Sequence, residues 1–571
     1  YMSIKWRRRQ EAFSSLSDHA QETFAGIAVI KAFVKESGEL LKFKKLSKTN
    51  AFSLIFGTGD RNYQSVMSAI EEAGIYLGDD IKVSPELFDV KYVPSFFVAY
   101  PMAHDKNYIT TESGYFPDPL VPMDNVDKVY AVSESWQILW ISLRIPSTHA
   151  ACEDKITVRF IRDKNGEVVE KCTFTLRINA ASLPTPTLSF TQWIHYDCIA
   201  DVHGVKVFSE AHWTLIQKYL RLAALHGVNR VLTPILTPPL DTAVGGERTT
   251  VQLVDIEYSN GEYSFDFSKL TRFVRLVKQI GIDSFEINHM FTQWGATCCP
   301  KVVAKVNGRN KKIFGWHTSA TSEEYKDFLS KLIPALITHF NSLGVTNDHI
   351  IFHVSDEPGV SKHFESYSAA ANILMPLIKG CKHMDAMSDI EFYSNGLVDI
   401  PVAAIGDPVM KFIENGVEEL WCYYCCSQSV DLSNRFFAMP SARTRMIGVQ
   451  MYKYGVKGFL HWGYNFYNSH LSLKKLDPWS QTDADNFLPG GDSFSVYPYK
   501  NDVIPSLRFK VFANALEDVR LLTLVEQKIG RENTIRALDE LAGGKLTFTE
   551  YPTDEAFFDR LYEFVFGILK K

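Results

Sequence analysis

Ile350-Ile351-Phe352-His353-Val354-Ser355-Asp356-Glu357-Pro358 is the stretch on which the fold turns. A mostly apolar, β-prone run ends abruptly in two adjacent carboxylates and a proline. The pattern predicts a buried strand over 350–356 that delivers acidic groups to its C-terminal edge, where the proline stops the ladder. Two carboxylates side by side at a strand end are poor stabilisers. Like charges a few ångströms apart push one pKa upward, which keeps a general acid protonated near neutral pH. The plain alternative is a solvated turn or a helix N-cap, since Asp and Glu favour a first helical turn.

The residues on either side favour the catalytic reading. Candidate strands cover 188–195, 229–233, 283–288, 350–356, 383–387, 398–403, 418–424 and 457–462. Helical periodicity follows most of them, over 207–225, 267–280, 322–343, 362–379 and 435–454. This α/β succession across 187–530 predicts a (β/α)8 TIM-like barrel with long loops. Its fifth unit is the shortest, with about ten residues between strands, and a doubly wound open sheet is the alternative.

A barrel carries its active site at the C-terminal strand ends. Asn288-His289 follows the third strand and Asp356-Glu357 the fourth. Trp421, Tyr423 and Tyr424 close the seventh, and His461-Trp462, Tyr464 and Asn465 follow the eighth. Aromatic faces stack on the apolar C–H faces of sugars, and carboxylates bind hydroxyls. A rim of this make-up predicts a sugar site.

Ahead of the barrel, short β-rich runs over 75–182 alternate with turn residues, including the hairpin signal Asn165-Gly166, and predict a small β-sandwich. The stretch from Ala181 to Pro186 reads as a linker, and 531–571 as a helical tail.

The chain has 571 residues and a formal charge of −6, too little positive field for nucleic acid to be a main partner. Residues 1–50 hold ten Lys or Arg against five acids, so they carry +5 and the remainder −11. Nine scattered cysteines, an odd number, fit reduced thiols better than a disulfide framework. Cys422 and Cys425 have CxxC spacing, but alternation along a strand sends them to opposite faces. No clustered ligand set suggests a metal, and no cofactor motif occurs. Nothing is long and apolar enough to span a membrane, and without a secretory signal a cytoplasmic location is expected.

Residues 10–36 carry apolar positions at helical spacing, from Phe13 and Leu16 through Ile30 and Phe33. Ala25-Gly26-Ile27 and Ile30-Lys31-Ala32-Phe33 resemble the intracellular helix of ABC-exporter transmembrane domains. Neither flanking spans nor a GxxxxGK[ST] phosphate loop accompanies them. The piece, drawn as 1–55, is read as a remnant with no transport role.

The body of the chain, about 75–530, resembles glycoside hydrolase family 123. The resemblance is carried by Ser355-Asp356-Glu357-Pro358, by Leu420 to Cys425, and by Tyr454-Gly455 with Gly458 to Trp462. Gly490-Gly491-Asp492, Tyr497-Pro498, Pro505 to Arg508 and Leu516-Glu517-Asp518 add to it. Family membership implies a β-sandwich before the barrel and β-N-acetylgalactosaminidase activity, with retention of configuration through the substrate's own 2-acetamido group. It implies that Asp356 orients the acetamido group and Glu357 is the general acid/base. Tyr423 or Tyr464 would donate to the acetamido group, Trp421 and Trp462 would wall the pocket, and Asn288, His289 and Asp492 would bind hydroxyls. A β-N-acetylglucosaminidase of the same mechanism, or a carbohydrate-binding protein without catalysis, are the rival readings. The partner in each case is a glycan or glycoconjugate.

Overall fold

Eight short strands pair side by side in a computed structural model of the protein, which describes residues 51–57, 64–70, 75–76, 82–83, 85–123, 129–131, 136–143, 145, 149–162 and 168–570. They are Ser189–Gln192, Arg230–Thr233, Ser284–Ile287, Ile350–Phe352, Lys382–Ala386, Ile400–Ala404, Trp421–Tyr423 and Gly458–His461. Every neighbouring pair is parallel, and the strand order runs first, eighth, seventh and so on down to the second. Strands one and two are bridged through Asn229, whose N–H donates to Phe190 O and whose side chain accepts from Phe190 N at 2.8 Å. The sheet thus curls into a nearly closed (β/α)8 barrel, and the open-sheet alternative falls.

Helices form where the sequence supplies both an apolar stripe and a start or stop signal. Glu210–Leu225 opens on Ser209, whose hydroxyl caps His212 N, and Glu323–Ser342 opens on Ser322, which caps Tyr325 N. Ser268–Ile280 stops at Gly281, where φ is 97° and a side chain would be strained. The fifth unit holds only the one-turn helix Glu391–Ser394. Inside the barrel, Trp193, Leu232, Ile351, Met384, Val402, Trp421 and Leu460 form one buried cluster.

Contacts divide the chain into two units, one of residues 186–434 with 454–503, the other of residues up to 185 with 435–453 and 504–571. The second holds two four-stranded antiparallel sheets. Phe88, Val90, Leu120, Ile138 and Trp140 pack there against Val511 of the helix Leu507–Ile529. By contacts, the helices after residue 504 group with the sandwich. The strands Ala51–Gly57 and Gln64–Ile70 also pair into the two sheets, ahead of the limit at 75. The remnant helix over residues 1–50 and the Asn165-Gly166 turn lie outside the described residues.

Two hairpins inserted after the second and third barrel strands add a four-stranded sheet. Their turns, Asn260-Gly261 and Asn307-Gly308, have φ of 54° and 84° and of 49° and 78°, the left-handed pair that favours Asn-Gly.

Packing between the seventh and eighth strands gives a direct test. A Cβ on Gly458 would lie 2.1 Å from the Trp421 ring, which is itself buried. Gly458→Ala is expected to cost about 1–3 kcal/mol through overpacking, read as a lower denaturation midpoint at unchanged m-value.

Candidate active site

The fourth strand stops at Phe352, four residues short of its expected end. Beyond it, the backbone N–H groups of Val354 and Ser355 turn to the carboxylate of Asp385 on the fifth strand, each at 3.1 Å, instead of to a neighbouring ladder. Asp385 also accepts from His353 Nδ1 at 3.0 Å, Tyr367 OH at 2.7 Å and His383 Nε2 at 2.8 Å. The next residue continues the brace, for Glu357 N donates to Ala386 O at 3.1 Å. On the other side, Met290, Phe291 and Trp294 donate to the carbonyls of His353, Val354 and Asp356, and Ser355 Oγ donates to Thr292 O. The turn carrying Asp356 and Glu357 is therefore held along its whole length. Glu357 sits at φ 44°, a left-handed conformation that costs a non-glycine residue strain and that the surrounding bonds over-determine.

Both carboxyls are half-buried, and both are pushed above the ordinary range. For Asp356 the causes are burial, then the charges of Glu357 and Asp385; His353 opposes them. For Glu357 the cause is burial, opposed by the Tyr423 hydroxyl, which donates to Oε1 at 2.6 Å. Two such groups side by side hold one negative charge more easily than two.

Beneath them lies a buried ionic layer. His353 stands between Asp385 and Glu286, with Nε2 3.6 Å from Glu286 Oε2. Burial disfavours its charge, but the two carboxylates outweigh that and lift it to about 9, so it is an imidazolium. Burial alone would raise Asp385; His383 and His353 outweigh it and keep Asp385 ionised well below the usual carboxylate range. Trp193 Nε1 donates to Glu286 at 3.2 Å. His289, His353 and Asp385 bring ligand-type atoms within 4.8 Å of one another. The two imidazoles, however, stack at 4.5 Å and 22°, so their in-plane lone pairs run side by side and do not converge as a metal cage requires.

The structure separates the expected sugar contacts. Tyr423 reaches Glu357, and Trp462 stands half-buried beside the same cluster. Trp462 is held through its carbonyl by His195 Nε2 at 2.9 Å. Arg248 can only donate, so its contact to His195 Nδ1 at 3.0 Å fixes the proton on Nε2, and Arg248 is anchored in turn on Asp197. The other five side chains are fully buried. Asn288 accepts from Leu236 N, bracing the loop after the second strand. His289 packs edge-on to Trp193 with neither ring nitrogen bonded. Trp421 fills the barrel core, Tyr464 donates to Tyr219 O, and Asp492 lies behind Trp462, accepting its Nε1–H at 3.2 Å. These five side chains are thus enclosed in this structure by the barrel core or by neighbouring loops.

Asp385, His353, Glu286 and Tyr367 were not picked out from the sequence. A signal existed: an acid inside an otherwise apolar barrel strand, as in Met384-Asp385-Ala386 or Phe285-Glu286-Ile287, must be paired to be tolerated.

Fold and site together describe an acid–base enzyme built on a (β/α)8 barrel. The family model for the glycoside hydrolase 123 catalytic domain matches residues 193–525. The chain belongs to glycoside hydrolase family 123 and is a glycoside hydrolase. A family 123 glycoside hydrolase from Clostridium perfringens, solved to examine glycolipid glycan hydrolysis, shares its fold with a TM-score of 0.71 at 13% identity, covering 97% of this chain and 96% of that one. A GH10 xylanase from termite gut aligns with a TM-score of only 0.32 at 10% identity, over 67% of this chain and 90% of its own. No curated protein sequence matches the chain.

Asp385→Asn keeps an oxygen for the backbone donors but discharges the brace. It is expected to lower kcat about 100-fold with KM nearly unchanged, the scale of a small misplacement of catalytic groups, in steady-state kinetics on the purified, folded variant.

Proposed function

We propose that the protein removes β-linked N-acetylgalactosamine from glycoconjugates, glycolipid glycans among them, with retention and with the substrate's 2-acetamido oxygen as nucleophile. The observation that carries this reading is the placement of Asp356 and Glu357 as neighbours on one braced turn. A conventional retaining enzyme sets its two carboxyls about 5 Å apart on opposite sides of the scissile bond. Neighbours on a single turn approach from one side, so the attacking group is sought in the substrate itself.

In this mechanism the acetamido N–H donates to Asp356 as the sugar binds. That hydrogen bond favours the anion of Asp356, and the proton the pair shares passes to Glu357. Glu357 then protonates the leaving oxygen while the acetamido oxygen attacks C1 and closes the oxazolinium ring. Asp356 stabilises the cationic N–H of that ring. Glu357, now a carboxylate, takes a proton from the water that opens the ring, and both groups return to their starting state. Tyr423 keeps Glu357 aimed and limits the rise of its pKa, and Trp462 offers a face to the sugar ring. Membership of family 123, whose resemblance implies this activity, and the glycolipid glycan hydrolysis studied in the C. perfringens neighbour support this reading.

Paired chromogenic β-GalNAc and β-GlcNAc substrates test the sugar directly, with GalNAc expected to be the faster; turnover of neither sinks the proposal. Glu357→Gln should cost about 10²–10⁴-fold on substrates with poor leaving groups and far less on activated phenols, whereas Asp356→Asn should damage both alike. Full activity of Asp356→Asn is the outcome incompatible with the mechanism.

Loss of the Tyr423 hydroxyl has a defined sign. Its hydrogen bond lowers the pKa of Glu357, so Tyr423→Phe raises that pKa further. The alkaline limb of kcat/KM, where the general acid deprotonates, should move to higher pH.

A further inference from the structure

Asp241, on the loop after the second barrel strand, is a third carboxylate at the catalytic mouth that the proposed reaction does not use. Its side chain is 17% exposed. Oδ2 accepts from Leu471 N, on the loop after the eighth strand, at 3.2 Å, and Ser472 Oγ donates to Asp241 O at 2.7 Å. Asp241 and Leu471 take left-handed φ of 39° and 56°, held there by these bonds against backbone preference. Oδ1 has no hydrogen bond among the described residues, and His470 Nδ1 stops 3.9 Å from it.

A brace between two loops needs only one acceptor oxygen. An amide would supply it without the cost of taking a charge out of water. Burial pushes the Asp241 carboxyl up to about 6, opposed by Arg248 and the Leu471 N–H, so it is an anion at neutral pH. The charge and the open oxygen are more than the fold requires.

The loop after the third strand sets Asp241 beside the catalytic pair. Gln293 Nε2 donates to Thr242 O at 3.2 Å, and the next residue, Trp294, donates its N–H to Asp356 O at 2.9 Å. Two consecutive residues thus tie the Asp241 loop to the Asp356 turn. Gln293 is 4% exposed, and its Oε1 is buried with no partner among the described residues, a second acceptor left open between the two loops. Glu357 is anchored the other way, to Ala386 O of the fifth strand and to the Tyr423 hydroxyl of the seventh. The order along the rim is therefore Glu357, Asp356, Asp241. The charge of Asp241 accordingly disfavours the anion of Asp356.

We infer that Asp241 Oδ1 accepts the 3-hydroxyl of the sugar being cleaved, so that the pocket takes only a sugar free at O3. The inference deepens the proposed function and rests on it. In that reaction Glu357 serves the oxygen on C1, and Asp356 holds the acetamido N–H on C2. The next ring substituent in the same direction is the hydroxyl on C3, and the next carboxylate along the rim is Asp241. A hydroxyl donating to a carboxylate makes a charge-assisted bond, stronger than one to a neutral acceptor. A sugar substituted at O3 has no proton to donate and leaves the anion unpaired. Both N-acetylhexosamine epimers carry this hydroxyl, so Asp241 selects for a terminal sugar and not between epimers.

Calorimetric binding of a hydrolysis-resistant phenyl β-thioglycoside of GalNAc, and of its 3-deoxy and 4-deoxy analogues, tests the contact without turnover. The parent should bind the 3-deoxy ligand about 10–100-fold more weakly than the full sugar, the scale of a hydrogen bond to a charged group. Asp241→Asn keeps an oxygen for Leu471 N but carries no charge, and it should shrink that 3-deoxy penalty about fivefold or more. Its penalty for the 4-deoxy ligand should match the parent's. Ser472→Ala loosens the same loop without touching Oδ1, so it should weaken all three ligands alike and keep the 3-deoxy penalty. A parent that binds no thioglycoside, or binds the 3-deoxy ligand as tightly as the full sugar, would overturn the inference. So would an Asp241→Asn variant that keeps the parental 3-deoxy penalty or loses the 4-deoxy penalty instead. If the expected binding pattern appears but the O-linked GalNAc glycoside is not hydrolysed, the proposed activity falls and the Asp241 contact stands.

Discussion

The carboxylate of Asp385 is the constraint on which the catalytic edge depends. Taking one such charge out of water costs several kcal/mol, and Asp385 has no solvent-exposed surface. Five donors converge on it, two of them backbone N–H groups immediately before the catalytic pair. At about 1.5–3 kcal/mol for each hydrogen bond to a charged group, the set is of the size needed to offset the burial. The same bonds that make the charge tolerable fix where Asp356 and Glu357 point.

The buried layer also shapes the field at the pair without dominating it. His353, as an imidazolium, favours the anion of Asp356, and Asp385 disfavours it. These two contributions oppose each other. Burial and the repulsion of Glu357 are the larger causes, and they decide that Asp356 rises. The compensating charges beneath the pair thus leave burial and mutual repulsion in control of it.

Strain follows the same distribution. Glu357 is left-handed where backbone bonds from both neighbouring strands enclose it, and the rim loops are left-handed where side chains of other loops tie them. Both are places where packing and hydrogen bonding overrule local preference, and both are at the mouth of the barrel.

The periodicity of the chain determined the eight strands, the helices between them and the rim on which Asp356 and Glu357 stand, because buried parallel strands and amphipathic helices write their spacing into the sequence. Asn260-Gly261 and Asn307-Gly308 carry the same hairpin signal in the sequence. The sequence says least where a residue's surroundings depend on a partner far along the chain. Trp421 looks like a pocket wall and Tyr464 like a rim donor, yet Trp421 packs against Gly458 in the core and Tyr464 donates to Tyr219 O. Asn288, His289 and Asp492 look like sugar ligands, yet neighbouring loops close over them. The helices after residue 504 join the sandwich because Val511 finds its apolar neighbours there. Local pattern decides whether a residue sits on a strand, a helix or a turn. Which of two polar neighbours faces water, and which carries a buried charge, is decided only when distant strands bring Asp385, His353 and Glu286 together, because the free energy of a buried charge depends on donors that no local stretch of sequence contains.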